Sequence, residues 1–114
     1  MLTIEALKAY GANTEEGLAR CFNNEAFYLR LVNMGLTDAN FNRLKEAIEQ
    51  GSAEDAFEAA HALKGAIGNL SLTPIFVPIC EITEQLRGKS TVPDVGALLD
   101  TTLEQRDKAL KLAE

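Results

Sequence analysis

Residues 60–70 read Ala-His-Ala-Leu-Lys-Gly-Ala-Ile-Gly-Asn-Leu, and this segment decides the fold class. Apolar residues recur here and just before it at the period of an α-helix. The members of this apolar face are Ala56, Ala60, Leu63, Ile67 and Leu70. Two glycines lie inside the same helix, although each costs about 1 kcal/mol relative to alanine. Because local rules are broken most often at functional sites, the polar side of this helix is where function is expected.

The polar side carries His61, the only histidine of the chain. Helical side chains lean toward the preceding turn, so positions i+3 and i+4 approach the imidazole. Lys64 supplies a cation at i+3, and Gly65 leaves open space at i+4. Phe57 flanks the histidine and Gly68 lies two turns on, and both are expected to contribute to partner docking. Two alternatives stay open, namely that Phe57 folds back into the bundle and that Gly68 serves close helix packing.

Phosphorylation of His61 suits this arrangement. An imidazole that is neutral near pH 7 is a good nucleophile. An incoming phosphoryl group carries spread negative charge, which a nearby ammonium stabilises. The open position at Gly65 would admit the partner that brings the phosphoryl group.

The run His61-Ala62-Leu63-Lys64-Gly65 resembles the H-x-L-K-G signature of histidine-containing phosphotransfer (HPt) domains. The resemblance extends to residues 2–21, 59–60, 69–70 and 84–87, and so to nearly the whole chain. It implies a four-helix bundle with the active histidine exposed on the second long helix. It also implies phosphoryl exchange with the aspartate of a receiver domain of a response regulator, and a hybrid histidine kinase as the second partner.

Residue roles follow from the same resemblance. His61 would be phosphorylated, Lys64 would contact the phosphate, and Gly65 would be the point of access. Many relatives have glycine where this chain has Ser71. Because Ser71 lies at the end of the helix, away from His61, we expect altered capping rather than lost activity.

The remaining sequence predicts an all-α chain, an antiparallel four-helix bundle with short N-terminal helices, in one domain spanning 1–114. A short helix is expected over about 2–9 and a second from an N-cap at Thr14, carrying Phe22. Asn24 would cap a third helix, with Gly35 after its end. Its apolar stripe would be Phe27, Leu31 and Met34.

Two helix starts depend on particular residues. Ser52 with Asp55 resembles a capping box at the start of the helix that carries His61. Thr73 and Pro74 look like the N-cap and first residue of the next helix. Pro78 conflicts with that start, since a proline inside a helix loses a hydrogen bond. We expect a kink at Pro78 or a later start.

Composition excludes several functions. The net charge of −6 argues against nucleic acid and against anionic membranes as partners. A single histidine with scattered cysteines gives no metal site, and Cys21 and Cys80 are expected to be reduced packing residues. No cofactor is expected. Without a signal-like segment or a long apolar run, the chain is expected to be a cytoplasmic monomer.

Two other classes of function remain to be weighed. One is a helical scaffold related to HPt domains whose phosphotransfer has decayed, against which the retained His61 and Gly65 count. The other is an autonomous phosphohistidine kinase, which would need a nucleotide-binding signature that the sequence lacks. The chain is therefore expected to be a phosphocarrier and not an enzyme.

Overall fold

A computed structural model describes residues 1–114 and consists of α-helices joined by short connections. The helices are α1 (Ile4–Tyr10), α2 (Thr14–Arg20), α3 (Glu25–Leu36), α4 (Asn40–Gln50), α5 (Ala53–Asn69), α6 (Thr73–Leu86) and α7 (Gly96–Leu112). The predicted all-α bundle with short N-terminal helices is confirmed. None of these helices combines the length and apolar composition needed to cross a membrane.

The bundle is built from α4 to α7, each packed against the next along the chain. Their short connections make neighbouring helices antiparallel. Helices α1 and α3 add contacts to α7, and α2 joins α1 to α3. The apolar face predicted for α5 points into the core, with Ala56, Ala60, Leu63 and Ile67 fully buried. This burial fixes the rotation of α5 and turns its opposite side to solvent.

Two predictions for the N-terminal helices are wrong. Helix α2 begins after an N-cap at Asn13 and ends at Arg20, which leaves Phe22 outside it and 90% exposed. In α3 the buried face is Tyr28, Val32, Gly35 and Leu36, one position along from the predicted stripe. Gly35 lies inside α3 rather than after it, and a side chain at this position would collide with Leu70.

The start of α5 is confirmed and the start of α6 differs from expectation. Ser52 caps α5, and its hydroxyl accepts a hydrogen bond from the Asp55 N–H at 3.3 Å. Thr73 is the first residue of α6 and not its cap, which is Leu72. Helix α6 does not start later at Pro78, which is buried within the continuous helix.

Candidate functional site

His61 lies near the middle of α5 with its side chain exposed to solvent. Its exposure follows from the rotation of the helix, since Ala60 before it and Leu63 after it are fully buried. Neither ring nitrogen forms a hydrogen bond with another residue of the chain, so a nitrogen lone pair is accessible from outside.

Gly65 and Lys64 border the imidazole toward the C-terminal end of α5. A Cβ at Gly65 would have no neighbouring atom within 4 Å, so this position is open space. Lys64 is half-buried and forms no ion pair within the chain, and its charge acts to lower the pKa values of Cys80 and Glu84 on α6. Burial nevertheless raises the pKa of the Cys80 thiol, which keeps it protonated. The ammonium of Lys64 is therefore free to meet an incoming anion.

Phe57 lies one turn before His61 and contacts its ring. The two ring centroids are 5.8 Å apart and the planes are inclined by 27°, a stacked arrangement. The guanidinium of Arg87, just after α6, lies over the Phe57 ring at 5.2 Å. Arg87 is held by two hydrogen bonds to the Glu84 carboxylate, at 3.0 and 3.3 Å, which lower the pKa of Glu84. Phe57 is half-buried and packs against the core.

A groove of about 670 Å³ runs from His61 along the C-terminal half of α5. Its walls come from the α2 region, α5 and the first turns of α6. The lining residues are Asn13, Glu16, Arg20, His61, Lys64, Gly65, Gly68, Asn69, Ser71, Thr73, Phe76 and Val77. The predicted residues His61, Lys64, Gly65 and Gly68 thus share one surface, while Phe57 lies outside the groove.

The sequence of residues 36–112 matches the model of the Hpt domain family. This chain belongs to the Hpt domain family. Members of the family are phosphocarriers of two-component phosphorelays, and they interact with receiver domains and histidine kinases. No curated protein and no solved structure matched the chain.

In this Hpt domain, Gly68 is in a different environment from Gly65. A Cβ at Gly68 would come within 2.8 Å of the Phe76 ring of α6. The glycine therefore allows α5 and α6 to approach closely, which is the packing alternative raised above. Gly68 also lines the groove, and its predicted docking role stays a prediction.

Ser71 of the Hpt domain adopts a left-handed backbone conformation, with φ of 57°. Its N–H donates to the Gly68 carbonyl at 3.1 Å, and the next N–H, of Leu72, donates to the Ile67 carbonyl at 3.4 Å. This is the Schellman pattern, in which the left-handed position is usually glycine. The backbone cap is therefore intact with a serine in it.

The Ser71 hydroxyl explains how a serine is held in that conformation. It accepts a hydrogen bond from Arg20 at 2.8 Å and donates one to Glu16 at 2.9 Å. Arg20 also donates to the carbonyls of Gly68 and Asn69, at 3.1 and 3.3 Å, and pairs with Glu16 at 2.9 Å. Helix α2 thus closes the C-terminal end of α5.

Sequence reasoning missed Arg20, Glu16 and Arg87 as parts of this region. The i,i+4 spacing of Glu16 and Arg20 predicts their ion pair, but nothing local in the sequence shows that the pair reaches Ser71. Arg87 was noted only as part of the resemblance. Its position over Phe57 depends on where α6 ends, which is a feature of the tertiary structure.

Proposed function

We propose that this Hpt domain is a phosphorelay carrier that accepts and donates a phosphoryl group at His61, in exchange with the aspartate of a receiver domain. The observation that carries the proposal is the exposed imidazole of His61 beside open space at Gly65. Lys64 would contact the phosphoryl group. Gly65 would admit the partner, and Phe57 and Gly68 would border its docking surface.

The transfer needs no further group from this chain. The unprotonated nitrogen of a neutral imidazole attacks the phosphorus of the aspartyl phosphate, and a P–N bond forms as the P–O bond breaks. The electron pair of that bond leaves with the aspartate carboxylate, while the imidazole keeps the proton on its other nitrogen. Lys64 balances the negative charge of the phosphoryl oxygens. Reversal of the same steps returns the group to an aspartate.

The remaining features of the proposal concern the molecule as a whole. We take residues 1–114 as one domain, a cytoplasmic monomer that binds neither metal nor cofactor and has no kinase activity of its own. Its partners would be a hybrid histidine kinase and a response-regulator receiver. The negative net charge of −6 favours protein partners over nucleic acid or anionic membranes.

A transfer screen tests this function. Receiver domains encoded by the same genome are phosphorylated with acetyl phosphate and Mg²⁺, freed of the donor, and mixed with the full chain. At least one receiver should lose its phosphoryl group to the chain, and the product should be labile in acid and stable in base. ATP and Mg²⁺ alone should leave the chain unmodified.

The matched control is His61→Gln, which removes the nucleophile from an exposed position. This variant should keep the helical circular dichroism of the wild type and accept no phosphoryl group from any receiver. Phosphorylation that persists in His61→Gln would place the acceptor at another residue. If no receiver transfers to the wild type, the chain is a scaffold with decayed phosphotransfer, and incorporation from ATP alone would contradict a carrier.

A further inference from the structure

The His61 ring has few constraints from the rest of the chain. No hydrogen bond from the chain fixes either ring nitrogen, and the side toward Gly65 is open. The Phe57 ring stacks against the imidazole, with the two ring centroids 5.8 Å apart. An exposed histidine without such a contact would exchange between side-chain rotamers.

Phe57 is itself fixed from two directions. It packs against the hydrophobic core, and the Arg87 guanidinium covers its ring at 5.2 Å. Arg87 is in turn oriented by its two hydrogen bonds to Glu84. The ring of Phe57 is therefore a constrained surface against which the imidazole rests.

We infer that Phe57, held by Arg87, is a positioning residue that sets the orientation of the His61 imidazole for phosphoryl transfer. This inference rests on the proposed function and adds a role distinct from docking. A nucleophile must be aligned with the phosphorus and about 3–3.5 Å from it. An imidazole already held in one orientation reaches that geometry more often than a freely rotating one. Phe57 would thus raise the rate of the transfer step within the complex.

Kinetics with the receiver identified by the screen distinguish positioning from docking. Phe57→Leu keeps an apolar side chain of similar length and removes the flat ring. Positioning predicts a transfer rate at saturating receiver lower by about three- to tenfold, with the half-saturating receiver concentration unchanged. Phe57→Tyr, which retains the ring, should restore the wild-type rate. An unchanged rate at saturation with a raised half-saturating concentration would overturn positioning in favour of docking.

Potassium phosphoramidate gives a second comparison, because it is small and can approach the imidazole in any rotamer. In this reaction the phosphoryl group moves from the nitrogen of phosphoramidate to the imidazole nitrogen, and ammonia leaves. The fall in rate caused by Phe57→Leu should be smaller with phosphoramidate than with the receiver. An equal fall with both donors would show that the substitution alters the intrinsic reactivity of His61, and would overturn the inference.

Proton NMR tests the stacking of His61 on Phe57, since the single histidine gives one set of imidazole resonances. Protons above an aromatic face are shielded, so the His61 ring protons should move downfield in Phe57→Leu and stay in place in Phe57→Tyr. Arg87→Gln, which loosens Phe57 from outside the site, should move them in the same direction by less. Arg87→Gln also tests the inference if Phe57→Leu fails to fold. Unmoved resonances in both Phe57→Leu and Arg87→Gln would overturn the inference.

The two proposals fail in different ways. If no receiver phosphorylates the wild type, the proposed function is wrong. If a receiver phosphorylates the wild type and folded Phe57→Leu equally fast at saturation, only the positioning role is wrong.

Discussion

The middle of α5 and its C-terminal end differ in how many of their polar groups form hydrogen bonds within the chain. Around His61 the ring nitrogens have no partner in the chain, and the space beside Gly65 is open. Near the C-terminal end of the helix, backbone carbonyls accept hydrogen bonds from other parts of the chain. Arg20 donates to two of its carbonyls, and the buried Tyr28 hydroxyl donates to the Leu70 carbonyl at 2.7 Å. The His61 ring nitrogens thus have no hydrogen-bond partner in the chain, while the carbonyls at the end of the helix do.

The two glycines illustrate the same difference with one residue type. They are separated by less than one turn of α5, and the sequence alone leaves both docking and helix packing open for Gly68. Gly65 faces open space, whereas Gly68 faces the Phe76 ring. Substitutions at Lys64 and Gly65 should therefore act mainly on transfer, and substitutions at Ser71 mainly on stability.

The largest expected effect is at Gly65. A side chain introduced by Gly65→Gln leans back over the imidazole and obstructs the approach of an aspartyl phosphate. Transfer from the receiver should slow by about a hundredfold, while the melting temperature stays equal or rises because a mid-helix glycine is replaced. Transfer reactions quenched at successive times give the rate, and thermal melts of the same preparation give the melting temperature. Transfer at the wild-type rate would mean that the open position is incidental.

At the other end of α5, Ser71→Ala should affect stability alone. The variant loses the hydrogen bonds with Arg20 and Glu16 and keeps the left-handed backbone. The free energy of unfolding should fall by about 1–2 kcal/mol. Urea unfolding measures this loss, and transfer per folded molecule should be unchanged.

Ser71→Gly is the matched control. It loses the same two hydrogen bonds but removes about 1–2 kcal/mol of left-handed strain. It should therefore be close to the wild type and more stable than Ser71→Ala. An alanine variant as stable as the glycine variant would show that strain at this position is negligible.

Lys64→Ala tests how much the cation beside His61 contributes to transfer. An exposed contact between an ammonium and a phosphoryl group contributes about 1 kcal/mol, because water screens it. Transfer should slow by about fivefold with an unchanged melting temperature. Complete loss of transfer in a folded variant would show that Lys64 is essential rather than assisting.

The smallest effects come from alanine at the two glycines. Gly65→Ala should gain up to about 1 kcal/mol of stability from helix propensity. Gly68→Ala has the same propensity gain, but its Cβ forces the Phe76 ring to shift and offsets that gain. Denaturant unfolding should therefore rank Gly65→Ala above Gly68→Ala. Equal stabilisation of both variants would remove the distinction between the glycines.

The fold and the centre of the site follow from local signals in the sequence. The period of α5, its Ser52 cap and the outward direction of His61 are all set within a few turns of chain. The register of α3 is not set by such local signals. Phe27, Leu31 and Met34 form an apolar helical stripe, and Tyr28, Val32 and Leu36 form another that fits equally well. Tertiary packing decides between them, since the Tyr28 ring lies against Gly17 and reaches Leu70.

The contacts around the site also could not be predicted from the local sequence. Arg20 and Arg87 are exposed charges in the sequence pattern, and such residues are usually solvated. Their roles depend on contacts with α5 across the fold, to Ser71 in one case and to Phe57 in the other. The exposure of His61 and the flanking position of Phe57 could be predicted, whereas the Arg87 guanidinium over the Phe57 ring could not.

The central claim, that His61 forms a bond to phosphorus, can be measured directly. The chain is prepared with ¹⁵N in its single histidine and phosphorylated by the receiver found in the screen. The phosphorus resonance should be split by coupling to ¹⁵N, and no such signal should appear in His61→Gln. A phosphorylated chain whose phosphorus shows no coupling to the histidine nitrogen would contradict it.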